Sequence, residues 1–269
     1  MIIDFHTHIF PEKIAAQTVA ALAKVSSSEP HSNGCEDGLI SALREARADI
    51  AVNLPVLTKP TQFDSIKGFA ESLNKKAYGA ERIISFAGAH PLMEEPEEKL
   101  ASLRESGFLG IKIHPDYQST FFDDDSYFRI LKAAKELDLI TVTHAGLDGA
   151  YVGQPIKCTP ERVLRMLDRL GGYDRLVLAH MGGNALFEEV YSSLAGENIY
   201  FDTSYVLHSI SEDMFLKILS RHGEDKILFA TDSPWQRISR EVEIIKSFAL
   251  GSETEEKIFY KNAAFLLGI

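Results

Sequence analysis

The 269-residue chain is longer than a typical single domain yet no longer than an α/β barrel, which uses about 250 residues as one unit, and its 45% hydrophobic content can fill one large core. A formal net charge of −11 argues against nucleic acid or an anionic membrane surface as partner, since both require clustered lysine and arginine; a small molecule is the expected partner and a homodimer the expected assembly. Two cysteines, Cys35 and Cys158, exclude a disulfide framework, and with no run near ~18 apolar residues and no leader-like segment after Met1 the expectation is a soluble, cytoplasmic protein.

In chain order, the first apolar run is Ile2–Phe5. The long stretch from His8 to Asp49 follows, with an Ala-rich helix predicted over Pro11–Val25 and then the polar Ser26–Gly34; residues 11–34 read as a lid inserted between the first strand and its helix. The spacing of Leu39, Ile40, Leu43 and Ala46 predicts a helix before the run Ile50–Leu54, and that of Phe63, Ile66, Phe69, Ala70 and Leu73 predicts one after it. Ile83–Ala87 and Leu109–Ile113 are the next two runs, with Gly107 as a helix stop between them. After Leu139–Thr143, Thr159-Pro160 reads as an N-cap and first helical position, and Gly171 as the stop of that helix. Leu176–Ala179, Ile199–Phe201 and Ile227–Ala230 complete the series, Gly223 stops a further helix, and Ser252 with Glu255 predicts a capping box for a last helix from Glu253 to about Leu267.

Short runs rich in Ile, Val, Leu and Phe, without polar alternation, suit parallel strands buried on both faces. Eight of them alternating with helices predict an α/β fold, a single (β/α)8 TIM barrel over residues 1–269. The rival doubly wound sheet lacks its G-x-G-x-x-G after the first run.

All strand C-termini of such a barrel open on one mouth. His6 and His8 close the first run, His144 the fifth, His180 the sixth and Asp232 the eighth. The i, i+2 spacing of His6 and His8 aims both imidazoles to one side at a separation one metal can bridge. One strand-end histidine is more often a packing residue, but this constellation makes His6, His8, His144 and Asp232 a candidate ligand set for zinc, with iron, manganese, cobalt or nickel chemically tolerable. In the fourth run Lys112 and His114 share an inward face. An inward lysine needs a partner, and three are open: an ion pair with Asp4, an anionic substrate, or carbamylation to bridge two metals, the first two being favoured. His114, Trp235, and Tyr151 and Gln154 in the loop after the fifth run are candidate substrate contacts, and Asp202, ending the seventh run, is placed to orient a ligand. His31, His90, His208 and His222 read as surface or loop histidines.

The segments IDFHTHIFP (3–11), GIKIHP (110–115), THAG (143–146), LAHMGG (178–183), FATDSPW (229–235) and KNAAFLLG (261–268) together resemble the amidohydrolase superfamily, and within it the amidohydrolase-2 branch of aminocarboxymuconate semialdehyde decarboxylase-like metal-dependent hydrolases. The resemblance implies one divalent metal on His6, His8, His144 and Asp232, with His180 catalytic beside it; members with two metals would use His144 and His180 for the second ion, bridged by a lysine at the place of Lys112. The chain is short for the decarboxylase members, and no substrate-binding arginine matches.

The first expectation is therefore hydrolysis of an amide, ester or lactone by water whose pKa the metal lowers from about 15.7 toward about 7, with Asp232 moving the proton and His180 polarising the carbonyl. The alternatives are a metal-dependent decarboxylase of a small unsaturated or aromatic carboxylate, with His180 as general acid or base, and a barrel that binds metal or ligand without turnover.

Overall fold

The computed structural model describes residues 1–269. Its strands are β1 (Ile3–Thr7), β2 (Ile50–Asn53), β3 (Arg82–Ser85), β4 (Ala87–Gly88), β5 (Gly110–Ile113), β6 (Ile140–Thr143), β7 (Leu176–Leu178), β8 (Tyr200–Asp202) and β9 (Ile227–Leu228). All pair in parallel and in chain order, β1 to β3 and then β4 to β9. β3 and β4 are two stretches of the single run predicted at Ile83–Ala87, separated only by the buried Phe86. The ring closes where β1 meets the chain around and beyond β9: Phe5 N donates to Phe229 O (2.9 Å), Asp232 N to His6 O (2.8 Å) and His8 N to Ser233 O (2.6 Å). The protein is a TIM barrel.

Most strand residues are buried because each strand has helices outside and the other strands inside. One apolar cluster lies between strands and helices; a second holds Phe5, Val52, Phe86, Val142 and Leu228 and is floored by Leu266 and Leu267 near the chain's end. The register of β1 against β2 shifts between Asp4 and Thr7, so β1 carries one extra residue there. Alternation breaks at this bulge: Phe5 packs in the second cluster, while the next residue, His6, reaches the mouth.

Helices α1 (Glu12–Ser26) and α2 (Glu36–Ala46) both lie between β1 and β2. The stretch after α1 is tied to the mouth, since His31 N donates to Pro234 O (2.7 Å), and to the start of the insertion, since Phe10 N donates to Gly34 O (2.8 Å). Then come α3 (Phe63–Asn74), α4 (Pro96–Glu105), α5 (Asp125–Glu136), α6 (Pro160–Leu170), α7 (Phe187–Glu189), α8 (Glu212–His222), α9 (Ile238–Ser247), α10 (Ser252–Glu256) and α11 (Asn262–Leu267). Thr159 caps α6 by accepting from Arg162 N (3.4 Å), and Gly171, with φ 62°, ends it. The capping box at Ser252 does not form: Gly251 is the N-cap, Ser252 lies inside the first turn, and a π segment, Lys257–Lys261, joins α10 to α11. Of the four histidines expected at the surface or in loops, His222 and His90 are buried. His222 ends α8 stacked on Phe201 (centroids 3.8 Å, planes 5° apart), accepts from Gly196 N and donates to Ile199 O, so both ring nitrogens are satisfied in the core. No helix is long and apolar enough to cross a membrane.

Candidate metal centre

His6, at the end of β1, and His8, just beyond it, bring their Nε2 atoms to 3.2 Å of each other, and Asp232 Oδ1 lies 3.0 Å from His8 Nε2 and 3.5 Å from His6 Nε2. Bonds of about 2.0 Å to a tetrahedral ion place neighbouring ligand atoms about 3.3 Å apart, so this triangle has the edge lengths of a metal face. The two imidazole planes stand 73° apart, which lets their in-plane lone pairs converge on one point. His8 and Asp232 are partly exposed, leaving access from the mouth. Burial, then the neighbouring Lys112, pulls the His6 pKa down to about 4, so it is a neutral imidazole at pH 7. Burial pushes the Asp232 carboxyl upward, but His8, His6 and His180 more than offset this and hold it ionised, well below the usual carboxylate range. Two imidazole nitrogens and a carboxylate oxygen fit a divalent cation.

The protons on these rings follow from their partners. His6 Nδ1 faces Asp202 Oδ2 (2.8 Å), an acceptor, so Nδ1 carries the hydrogen and Nε2 the lone pair. His180 Nδ1 faces Ser204 O (2.8 Å), so His180 Nε2 also carries a lone pair, and it accepts from His144 Nδ1 (3.0 Å). His144 Nε2 is then a bare lone pair, buried and without a partner, 3.9 Å from Asp116 Oδ2, which is also buried and unpartnered. Lys112 places its Nζ 3.1 Å from His6 Nε2, and burial lowers its pKa to about 8, with Asp202 and Asp232 opposing the shift.

A family model described as amidohydrolase, of the amidohydrolase-2 branch, matches residues 3–269. The chain belongs to the amidohydrolase family. No curated protein matches the sequence. Among solved structures, a dihydroxybenzoic acid decarboxylase from Polaromonas, with bound manganese and the inhibitor 2-nitroresorcinol, has a TM-score of 0.71 at 18% identity, covering 99% of this chain and 96% of its own. The apo form of IDCase from Metarhizium anisopliae has a TM-score of 0.75 at 18% identity (100% and 97% covered), and a putative amidohydrolase from Staphylococcus aureus 0.71 at 22% (100% and 99%). At these identities the likeness establishes the fold.

Within this amidohydrolase the candidate residues divide by place. His6, His8 and Asp232 form the triangle, with His180 and Lys112 on its rim: the His6 and His180 ring centroids are 5.6 Å apart. His144 stands outside the triangle, linked to it through His180. Its donor atoms group instead with those of His114 and Asp148, within 4.8 Å of one another. The His114 and His144 rings are stacked, however, with centroids 4.3 Å and planes 12° apart, so their lone pairs run parallel rather than converging, and that group is no cradle for an ion as it stands. Tyr117 extends the stack over His114 (3.9 Å), half-buried Tyr151 lies 5.8 Å from Tyr117, Trp235 is half-buried, and Gln154 is exposed.

The ion pair expected between Lys112 and Asp4 is absent. Asp4 accepts from Thr231 Oγ1 (2.6 Å) and Thr231 N (3.0 Å), because the bulge after it breaks the alternation that would have put Asp4 and His6 on one face. Asp116, Asp148 and Ser204 went unremarked in the sequence. Asp116 and Ser204 each lie two residues beyond a flagged position, His114 and Asp202, and the same two-residue spacing that singled out His8 would have found them.

Proposed function

We propose that this amidohydrolase-family chain is a metal-dependent decarboxylase of a small aromatic or unsaturated carboxylate. Lys112 carries the proposal: the residue is 1% exposed, and its ammonium has no carboxylate within ion-pair distance and lies 3.1 Å from His6 Nε2 at the metal triangle. A buried cation without a counter-ion is costly, and a substrate carboxylate entering the mouth is the anion that would complete it. The decarboxylases among structures of the same fold support this ahead of hydrolysis, the first expectation from sequence.

His144, the fourth ligand expected from the sequence, lies against His180 outside this site, and the metal would rest on His6, His8 and Asp232. Its donor set accepts zinc, as expected from the sequence, and equally manganese, as bound in the Polaromonas decarboxylase. When bound, the metal supplies Lewis-acid polarisation of the substrate. Lys112 would pair with the anionic group and fix its orientation, while His114, Tyr151 and Trp235 wall the approach and residues 11–34 cover it. The bond between the substrate carbon and its carboxyl group breaks, carbon dioxide leaves, and the electron pair left on carbon takes a proton. His180, whose Nε2 accepts from His144 Nδ1, would take up a proton from solvent water and deliver it there.

The test is a paired screen of metal-loaded protein. Hydroxybenzoates and unsaturated carboxylates are assayed for carbon dioxide, and amides, esters and lactones for hydrolysis. Carbon dioxide release supports the proposal; hydrolysis without it replaces decarboxylation with the hydrolase reading.

A further inference from the structure

We infer that Asp202 is a positioning residue that ties the metal-holding state of His6 to the aim of His180, so that one carboxylate organises both halves of the site. The inference rests on the metal-dependent reading above.

Asp202 ends β8 and is wholly buried. Its Oδ2 accepts from His6 Nδ1 (2.8 Å), while Oδ1 accepts from His180 N (3.0 Å), Ser204 N (3.0 Å) and Ser204 Oγ (2.5 Å). Its main-chain oxygen accepts from Met181 N (2.7 Å). The carboxylate thus reaches a residue 22 positions before it on one side and one 196 positions before it on the other.

Each arm has a chemical consequence. Toward His6, an acceptor at Nδ1 leaves the lone pair on Nε2, the atom 3.2 Å from His8 Nε2. Toward His180, the side chain and main chain of Asp202 together bind the amides of two consecutive residues with left-handed backbones, His180 (φ 63°) and Met181 (φ 52°). Such conformations are costly for residues other than glycine and persist only when surrounding bonds hold them. This turn lets the ring of His180 leave β7 toward the triangle while Nδ1 binds Ser204 O.

The two oxygens are not equivalent, which makes Asp202→Asn a selective probe. Oδ1 receives three donors and must remain an oxygen, so the amide nitrogen of the variant takes the place of Oδ2. An N–H there faces His6 Nδ1 and demands a lone pair from it, moving the His6 hydrogen to Nε2, into the triangle. The His180 arm is left intact.

Manganese binding is measured by calorimetry on the full-length protein, with circular dichroism to establish folding. Folded Asp202→Asn is expected to bind manganese at least tenfold more weakly than wild type, within the 10- to 100-fold range typical for loss of a ligand's supporting partner. A folded variant weakened by less than tenfold overturns the inference. Nitrogen-15 spectra of histidine-labelled wild-type protein without metal give a second readout that does not depend on the variant folding: His6 protonated on Nδ1 supports the inference, and His6 protonated on Nε2 overturns it. Wild type that binds no metal, or releases no carbon dioxide from any carboxylate, overturns the decarboxylase reading while the ring-proton result still stands.

Discussion

Lys112 and Asp232 sit within one constellation yet are expected to fail differently when changed. Lys112→Met removes a charge-assisted contact of about 1.5 to 3 kcal/mol, so the KM for a carboxylate substrate should rise roughly 10- to 150-fold with metal content retained. Asp232→Asn removes a corner of the triangle; metal should fall well below one equivalent by elemental analysis, and turnover with it. If Lys112→Met leaves KM unchanged, the substrate anion is held elsewhere. Away from the mouth, Glu241 on α9 is fully buried with both carboxylate oxygens unpartnered, and burial raises its pKa to about 7, opposed by Arg240. Since the folded carboxyl stays protonated where the unfolded one ionises, stability falls as pH rises from about 4.5 to about 7 and is level above that. Glu241→Gln should therefore be more stable than wild type by on the order of 3 kcal/mol at pH 8 and little different near pH 4.5, read from thermal unfolding at the two values. Asp4, also raised to about 7 by burial, adds a slope of the same sign to both proteins, so the difference between them isolates Glu241.

At the scale of elements, helix ends were legible where a single side chain decides them. Thr159 followed by Pro160 marks the start of α6 because a hydroxyl and a preset φ suffice, and Thr159→Ala should cost about 1 kcal/mol in denaturant unfolding. Ser252 has the same local signature, yet the backbone enters α10 one residue earlier, at Gly251, so Ser252→Ala should change stability by less than about 0.5 kcal/mol. Equal losses at the two positions would contradict the assignment of the caps. The strands show the same division. Their existence follows from short, doubly buried apolar runs, whereas the register shift between Asp4 and Thr7 depends on pairing with β2, a partner more than forty residues away in sequence. Hence His6 and His8 were identifiable as a pair, while Asp4 was assigned to a face it does not occupy.

For the whole molecule, a metal on His6, His8 and Asp232, which come from the ends of β1 and β9, would link ligand binding to global stability. At a free metal concentration near 100 times Kd, binding only to the folded state adds about 2.7 kcal/mol, and a chelator should lower the Tm by roughly 5 to 10 °C. A Tm indifferent to chelator and to added manganese or zinc would count against a site at His6, His8 and Asp232. The sequence alone determined the barrel, because eight apolar runs separated by amphipathic helices have few ways to bury both faces, and it brought His6, His8 and Asp232 to one mouth, because strand ends of a parallel barrel share it, while His144 lies outside their triangle. Only the tertiary structure decided how they meet. That Asp202 rather than Asp4 reaches His6 Nδ1, and that His144 lies against His180 and His114, depend on hydrogen bonds and ring stacking between residues tens to nearly two hundred positions apart. Local periodicity carries no record of such partners, which exist only once the ring has closed.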